Sequence, residues 1–225
     1  MIKRHKTLGI VPEDTVLWQY MPMMKYLDII QNRRIHFHRL DDLADKEEGV
    51  LSTLDMKSFV RFDSGFEQYF LDERKRTFIS CWIKSPHELS LMWESYGKGG
   101  VAIRTTAGHI TEAMEKDKEH GIYMFDVHYI DKQTEAAHHN GEPLNMFKFL
   151  TTKRKFFEQE KEVRLIFSDT SRKHEQEKGI NFDVDLNKLI QDVVISPIVP
   201  EYQFHLICQE TKDAGIEKTP QRSKL

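Results

Sequence analysis

Three glutamates at alternate positions, followed by an arginine, are the residues of this chain whose types and spacing best suit chemistry. They are Glu158, Glu160, Glu162 and Arg164, within the segment KRKFFEQEKEVRLIFSD at residues 153–169. In an extended strand, alternate side chains share one face, so the pattern predicts a row of carboxylates that ends in a cation. Like charges side by side on a strand are unfavourable, and such a row requires a compensating cation or a function.

Two interpretations of this acidic strand are open. In the first, Arg164 bridges its neighbours at a solvated strand edge, and the row is structural. In the second, the carboxylates form a site, and a cationic ligand adds to the compensation that Arg164 supplies.

The composition limits the class of protein. The 225 residues suffice for one substantial core, and 31% charged with 39% hydrophobic residues indicates a globular chain. No apolar run approaches the roughly 20 residues of a membrane span, and the basic N-terminus lacks the apolar segment of a secretory signal. Cys81 and Cys208 are far apart and have no metal or redox spacing. A cytoplasmic location without a membrane partner is therefore expected, while the oligomeric state is not predicted.

Hydrophobic periodicity predicts strands and helices that alternate at irregular intervals. This favours a single α+β domain with one mixed, mostly antiparallel sheet and flanking helices. We expect an N-terminal arm at residues 1–15, the domain at 16–215 and a fraying C-terminal tail at 216–225. The predicted strands cover residues 16–21, 35–40, 76–83, 100–106, 121–131, 180–186 and 192–197. The predicted helices cover residues 22–32, 53–72, 85–100, 107–118, 144–157 and 201–215.

Two of these helices carry the local signals that bear on the site. For the helix at 85–100, Ser85 is the expected N-cap, Pro86 the first helical residue and Glu88 the partner in a capping box. The helix at 144–157 is expected to lead directly into the acidic strand, which begins at about Glu158.

Other kinds of chemistry have weaker support. No Gly-rich nucleotide loop, nucleophile elbow or HExxH motif occurs. His36 and His38 share a strand face, and His138 and His139 lie in a loop, but none has a cysteine or carboxylate at ligand spacing, so no metal is expected. Cys81 lies in a hydrophobic strand, where a thiol is normally inert.

The order of motifs resembles a widespread bacterial domain family of unknown function, domain of unknown function 2971, which is associated with mobile elements and phage defence. The resemblance covers about residues 16–215. The motifs that carry it are LWQYM, IHFHRLDDLADKEEG, FISCW, ELSLMWESYGKGGVAI, KRKFFEQEKEVRLI and DLNKLIQDVVISP. The most specific pieces are MWxxY before GVAI, and the run of Phe157, Glu160, Glu162 and Arg164.

The chain departs from this family's pattern at two places. The family has an Asn-Asp-Pro-Phe-Glu turn after its second strand, where this chain reads ADKEEG and keeps Asp45, Glu48 and Gly49. The family often has a basic residue at the position of Gln19. Ligand contacts near the N-terminal end are therefore the least transferable.

The layout of the family is in turn similar to that of ADP-ribosyltransferases. The resemblance implies a polar residue on the first strand, Ser or Tyr on a middle strand, and Glu, often as E-x-E, on a late strand. The matching positions are Gln19 or Tyr20, then Ser80 or Tyr96, and finally Glu160 with Glu162.

This second resemblance implies NAD as the substrate and a defence or toxin role. Glu162 would be the catalytic acid, because a carboxylate near the ribose stabilises an oxocarbenium-like state, and Glu160 would orient or deprotonate the acceptor. Arg39, Arg104 or Arg164 would bind the pyrophosphate. The implied partners are a nucleotide-type small molecule and an acceptor macromolecule.

Two alternatives come from other classes of protein. The chain could be a non-catalytic binding or sensor module that docks through its acidic face. It could also be a metal-dependent nuclease in which Asp45, Glu48, Glu160 and Glu162 hold Mg²⁺. Loss of function on Glu162→Gln distinguishes the transferase from the docking module, and sensitivity to a chelator identifies the nuclease.

Overall fold

Strands and helices alternate along the chain, as the periodicity predicts. The structure, a computed structural model, describes residues 2–3, 9–59, 65–115, 121–138 and 145–225. The strands of this part are β1 (Ile2–Lys3), β2 (Val16–Met21), β3 (Arg34–Arg39), β4 (Thr77–Lys84), β5 (Val101–Thr106), β6 (Ile122–Asp126), β7 (His128–Ile130), β8 (Thr152–Arg154), β9 (Glu162–Ser168), β10 (Gly179–Asp183), β11 (Asp192–Ile195) and β12 (Gln221–Arg222).

The helices of the described part lie between these strands. They are α1 (Met23–Asn32), α2 (Thr53–Phe59), α3 (Phe66–Lys75), α4 (Ser90–Ser95), α5 (Ala107–Ala113), α6 (Met146–Leu150), α7 (Leu186–Leu189) and α8 (Glu201–Asp213). Short 3-10 helices cover Leu40–Asp42 and Lys155–Glu160. Among the described residues, no helix has the length and apolar character that crossing a membrane requires.

One mixed, mostly antiparallel sheet forms the centre of the fold, which confirms the predicted α+β class. Its order is β1-β6-β9-β4-β2-β5-β11-β12, and β3 adds to β4 with β10 outside it. The β1–β6 and β11–β12 pairs are parallel, and the remaining pairs of this sheet are antiparallel. Strands β7 and β8 form a separate parallel pair.

The sheet has apolar clusters on both faces. Leu165 and Ile166 are neighbours on β9 but belong to different clusters, because successive side chains of a strand point to opposite faces. The larger cluster packs against α1, α5, α7 and α8. Burial on both faces explains why the central strands are apolar throughout rather than alternating.

Two predicted helices are wrong in extent over described residues, whereas those expected at 53–72 and 107–118 include residues 60–64 and 116–118, which lie outside the described part. Of the helix expected at 85–100, only α4 is observed. The Ser85 hydroxyl forms hydrogen bonds with the backbone of His87 and does not cap the helix. Glu88, the expected partner in the capping box, accepts a hydrogen bond from the indole of Trp93. The helix expected at 144–157 ends with α6 and is followed by β8.

The C-terminal segment also differs from the prediction of a fraying tail. Within residues 216–225, strand β12 pairs with β11, and Ser223 is buried. The Ser223 hydroxyl donates a hydrogen bond to Glu88 at 2.6 Å. Strand pairing gives these backbone groups partners at the open edge of β11, so the segment is held to the sheet.

Candidate functional site

A fork in the sheet creates a cleft. Strands β2 and β3 lie along the same edge of β4 but pair with opposite ends of it. Leu17–Trp18 of β2 pair with Ile83–Lys84, whereas His38–Arg39 of β3 pair with Phe78–Ile79. Among the described strands, none pairs with this edge in between, and a cleft of about 380 Å³ opens there.

The Gln19 side chain occupies part of the gap between the forked strands. Its amide donates to the carbonyl oxygen of Cys81 at 3.3 Å and to Ser80 Oγ at 3.4 Å. Ser80 and Cys81 are neighbours with opposite orientations on β4, yet both line the cleft. The cleft is therefore accessible to side chains from both faces of the sheet.

Three carboxylates converge on one lysine at the acidic end of the cleft. Lys153 Nζ lies 2.6 Å from Glu160 Oε2, 3.0 Å from Glu162 Oε2 and 3.1 Å from Glu48 Oε1. The exposed fractions are 8% for Lys153, 4% for Glu48, 8% for Glu160 and 2% for Glu162. Burial on this scale makes the partners indispensable to one another, because an unpaired buried charge is costly.

Arg164 lies behind these carboxylates and completes the network. It is fully buried and donates from Nε to Glu162 Oε1 at 2.6 Å and from Nη2 to Glu48 Oε2 at 2.6 Å. Its Nη1 donates to the carbonyl oxygen of Leu150 at 3.0 Å. These three carboxylates and two cations, which we call the charge network, carry a formal charge of −1.

The charge network keeps Glu162 ionised. Burial alone would raise the pKa of this carboxyl, but Arg164 and Lys153 outweigh burial and lower the pKa to about 2. For Lys153, burial acts to lower the pKa, yet the surrounding carboxylates raise it well above its ordinary value. A permanently charged carboxylate is a weak base, so Glu162 is suited to stabilising positive charge rather than to removing protons.

The backbone that presents these carboxylates differs from the predicted acidic strand. Glu158 and Glu160 lie in the 3-10 helix, and β9 begins only at Glu162. Lys161 has a left-handed conformation with φ 45°, which ends the helical turn and starts the strand. The prediction of one strand face for all four residues is therefore wrong for Glu158 and Glu160. Glu158 is exposed, whereas Glu160 is buried and shares Lys153 with Glu162.

Sequence reasoning missed Lys153, the centre of the charge network. This residue was assigned to the basic end of a helix, whereas it lies in β8, whose pairing with β7 fixes its position. The β-branched pair Thr151–Thr152 is the local signal against a helix at this point.

Tyr96 connects the charge network to the rim of the cleft. Its hydroxyl donates to Glu160 Oε1 at 2.7 Å, while the ring is about half exposed. Burial of the hydroxyl, together with this hydrogen bond, raises the pKa of Tyr96, so the phenol stays protonated as a donor. The residue follows α4 and precedes the glycine-rich turn at 97–100.

Gly100 in this turn is essential to the approach of β2. A Cβ at this position would collide with the carbonyl oxygen of Met21 and would lie 2.9 Å from Pro22 Cα. We expect Gly100→Ala to lower the free energy of unfolding by about 1–3 kcal/mol in a denaturant titration, because backbone cannot yield as a side chain can.

Gly99→Ala is the matched control for this prediction. A Cβ on Gly99 meets no atom within 4 Å, and its φ of +65° costs only about 1 kcal/mol. If Gly100→Ala lowers the free energy of unfolding no more than Gly99→Ala does, the close approach of Gly100 to the backbone of Met21 and Pro22 is contradicted.

An aromatic wall forms the other side of the cleft. Tyr20 contacts Trp93 edge-on at 5.0 Å between ring centroids and stacks beside Trp18 at 6.1 Å. The hydroxyl of Tyr20 accepts a hydrogen bond from the amide of Leu89 at 3.0 Å. Burial, with a contribution from Glu88, raises the pKa of Tyr20 to about 12.

Cys81 lines the cleft with its thiol against the Glu162 carboxylate. Burial, followed by the charge of Glu162, raises the pKa of Cys81 well above its ordinary value. The thiol therefore stays protonated, which matches the prediction that this cysteine is not a nucleophile.

Three basic residues line the opposite end of the cleft, which we call the cationic end after its lysine. Lys25 of α1 and the two histidines of β3, His36 and His38, line this end, and the two rings are 4.5 Å apart. Burial lowers the pKa of Lys25. Burial, then His36 and Lys25, lower the pKa of His38 to about 4, against the opposing charge of Asp42. No pattern in the sequence predicts Lys25 at this position.

The arginines that were candidates for a pyrophosphate lie outside the lining of the cleft. Arg39 donates to Asp41 at 2.6 Å and to the carbonyl oxygens of Glu175 and Glu177. Arg104 of β5 bonds Asp192 of β11, and Arg164 is buried in the charge network. By contrast, Gln19, Tyr20, Ser80, Tyr96, Glu160 and Glu162 all line the cleft.

The positions considered for a magnesium ion are engaged by cations of the chain. The space between Glu48, Glu160 and Glu162 holds the ammonium group of Lys153, and Asp45 accepts two hydrogen bonds from Arg154. A search of the described residues finds no group of three or more His, Cys, Asp or Glu that could hold a metal ion.

The fold and site together define an α+β protein with a charged cleft at a fork of its sheet. Residues 92–165 match the model of a family described as a protein of unknown function, DUF2971. The matched segment runs from Met92 in α4 to Leu165 in β9 and includes Tyr96, Lys153, Glu160 and Glu162. No curated protein and no solved structure matches the chain.

Proposed function

We propose that the cleft binds a nucleotide-type small molecule and that the protein is an ADP-ribosyltransferase-like enzyme that uses NAD. The observation that carries the proposal is the shared cleft. Polar side chains from three strands, Tyr20 of β2, Ser80 of β4 and Glu162 of β9, line one cavity. These are the first, middle and late strand positions that the resemblance to ADP-ribosyltransferases assigns to the site.

The proposed reaction is cleavage of the bond between nicotinamide and ribose. The bonding electrons leave with the nicotinamide nitrogen, and positive charge develops on the ribose as in glycoside hydrolysis. Glu162 is ionised at neutral pH and close to the cleft, so its charge stabilises this state. It already accepts hydrogen bonds from Arg164 and Lys153, which makes its role electrostatic rather than basic.

Glu160 and Tyr96 are the proposed contacts for the acceptor. Tyr96 is at the rim, and its hydroxyl holds Glu160 in place. When water or a macromolecular hydroxyl attacks the ribose carbon, its proton passes to the Glu160 carboxylate.

The test is nicotinamide release from NAD by the purified protein, with lysate supplied as a source of acceptor. We expect Glu162→Gln to lower the rate by at least about 100-fold, because it removes the charge near the developing cation. Glu158→Gln is the matched control, since Glu158 lies in the same segment but is exposed and outside the lining of the cleft.

Both variants must first be compared with the wild type by thermal unfolding, because Glu162 is part of the charge network. Release that is absent from the wild type, or unchanged in a folded Glu162→Gln protein, would reject the proposal. Cleavage of a nucleic acid that a chelator abolishes, without release of nicotinamide, would favour the metal-dependent nuclease instead.

The geometry does not favour the alternative of an acidic docking face. Such a face requires exposed carboxylates, whereas Glu160 and Glu162 are buried and paired with Lys153 and Arg164. The acidic residue of this segment that is exposed, Glu158, is a single charge.

A further inference from the structure

The cationic end of the cleft has no role in the chemistry proposed above. Lys25 is half-buried and lines the cleft, but its side chain has no carboxylate partner and no hydrogen-bond acceptor among the described residues. His36 and His38 lie at the same end, where His36 bonds Asn181 and the charged neighbour opposing His38 is Asp42. A half-buried ammonium group without a partner is unfavourable unless something binds to it.

The two ends of the cleft differ in how their charges are balanced. The charge network satisfies its own cations, since Lys153 and Arg164 bond the three glutamates. At the other end, Lys25 is not balanced in this way. A ligand that fits both ends therefore has hydroxyl groups or positive charge at one end and an anionic group at the other.

A phosphate group fits the cationic end best. An ammonium group binds phosphate as a point charge, and the neutral imidazole of His38 has one N–H group that can donate to another phosphate oxygen. The cavity of about 380 Å³ is within the size range of small-molecule sites. The arginines considered for this task are bound elsewhere, and Lys153 of the lining is paired with three glutamates. Among the described residues of the lining, Lys25 is therefore the lysine that no carboxylate balances.

We infer that Lys25, with His36 and His38, forms a subsite for a phosphate group of the ligand, whose sugar end lies toward Glu160 and Glu162. The inference rests on the proposed function for the identity of the ligand as a nucleotide. The subsite itself depends only on the cationic end of the cleft.

The test measures binding of inorganic pyrophosphate by isothermal titration calorimetry to the wild type, Lys25→Met and Lys98→Met. Lys98 is exposed and outside the lining of the cleft, so its replacement makes the same change in net charge. We expect Lys25→Met to weaken binding by about tenfold or more, and Lys98→Met by less than about twofold. Lys25→Met should unfold at the same temperature as the wild type or higher, because it removes an unpaired charge.

The inference is overturned if the wild type does not bind pyrophosphate, or if Lys25→Met binds it as tightly as Lys98→Met does. Nicotinamide release separates this result from the proposed function. Pyrophosphate binding that depends on Lys25, without release, supports the subsite and rejects the transferase. Release with the same KM in Lys25→Met and the wild type rejects the subsite and leaves the transferase standing.

Discussion

Replacement of Arg164 by leucine is expected to lower the free energy of unfolding by about 3–5 kcal/mol at pH 7. Arg164 is fully buried and bonds Glu48, Glu162 and the carbonyl oxygen of Leu150. Leucine fills part of the volume of the arginine side chain. Lys153 then remains as the cation that pairs with Glu48 and Glu162, and the carbonyl oxygen of Leu150 loses the hydrogen bond from Arg164. A urea titration followed by circular dichroism measures the change.

Arg154→Leu is the matched control for this prediction. Arg154 also forms a bidentate pair, with Asp45 at 3.0 and 3.2 Å, but 38% of its side chain is exposed. Exposed pairs contribute about 1 kcal/mol or less. Equal losses of unfolding free energy in Arg164→Leu and Arg154→Leu would mean that burial does not increase the contribution of the charge network to stability.

Lys153→Met is expected to have a comparable effect and to reverse the response of the protein to pH. It leaves three buried carboxylates with Arg164 as their cation, so we expect a loss of about 3–5 kcal/mol at pH 7. Lys155→Met, at an exposed position two residues further along the chain, should change stability by less than about 0.5 kcal/mol.

The sign of the pH effect follows from the carboxylate pKa values. In the wild type the pKa of Glu162 is lowered from 4.5 to about 2, so its stabilising contribution is present above pH 4.5 and is lost as pH falls toward 2. In Lys153→Met, repulsion and burial raise the carboxylate pKa values above those of the unfolded chain. The variant should therefore gain stability as pH falls from 7 to 5.

Unfolding at pH 7, 6 and 5 distinguishes the two proteins. A variant that follows the wild-type pH profile, or that loses no stability at pH 7, would show that Lys153 does not balance the three glutamates.

The fold was predictable where the signal is local. Strand β2 occurs at the predicted residues 16–21, and β5 and β11 lie within the predicted ranges, because apolar β-formers dominate these segments. The prediction of a helix at 144–157 was wrong because contacts with residues distant in sequence determine the conformation after Leu150. Pairing of β8 with β7 and ion pairs with carboxylates from other parts of the chain stabilise Lys153 in β8.

The candidate site was predictable only in its polar residues. Six positions chosen from the sequence line one cleft, including Tyr20, Ser80 and Glu162. The resemblance supplied these positions and Arg164, but it assigned no role to Lys153 or Lys25. Lys25 lies on a helix whose local pattern indicates only an amphipathic surface, and its position at the fork depends on how β2 and β3 diverge.

The long sequence separation within the charge network has a consequence for folding kinetics. Glu48 and Arg164 are 116 residues apart, so their contact requires closure of a large loop. Contacts of this kind tend to form after the transition state and then oppose its reversal. The buried charges would accordingly determine how long a folded molecule persists more than how quickly it forms, and variants of Arg164 should mainly accelerate unfolding in stopped-flow measurements.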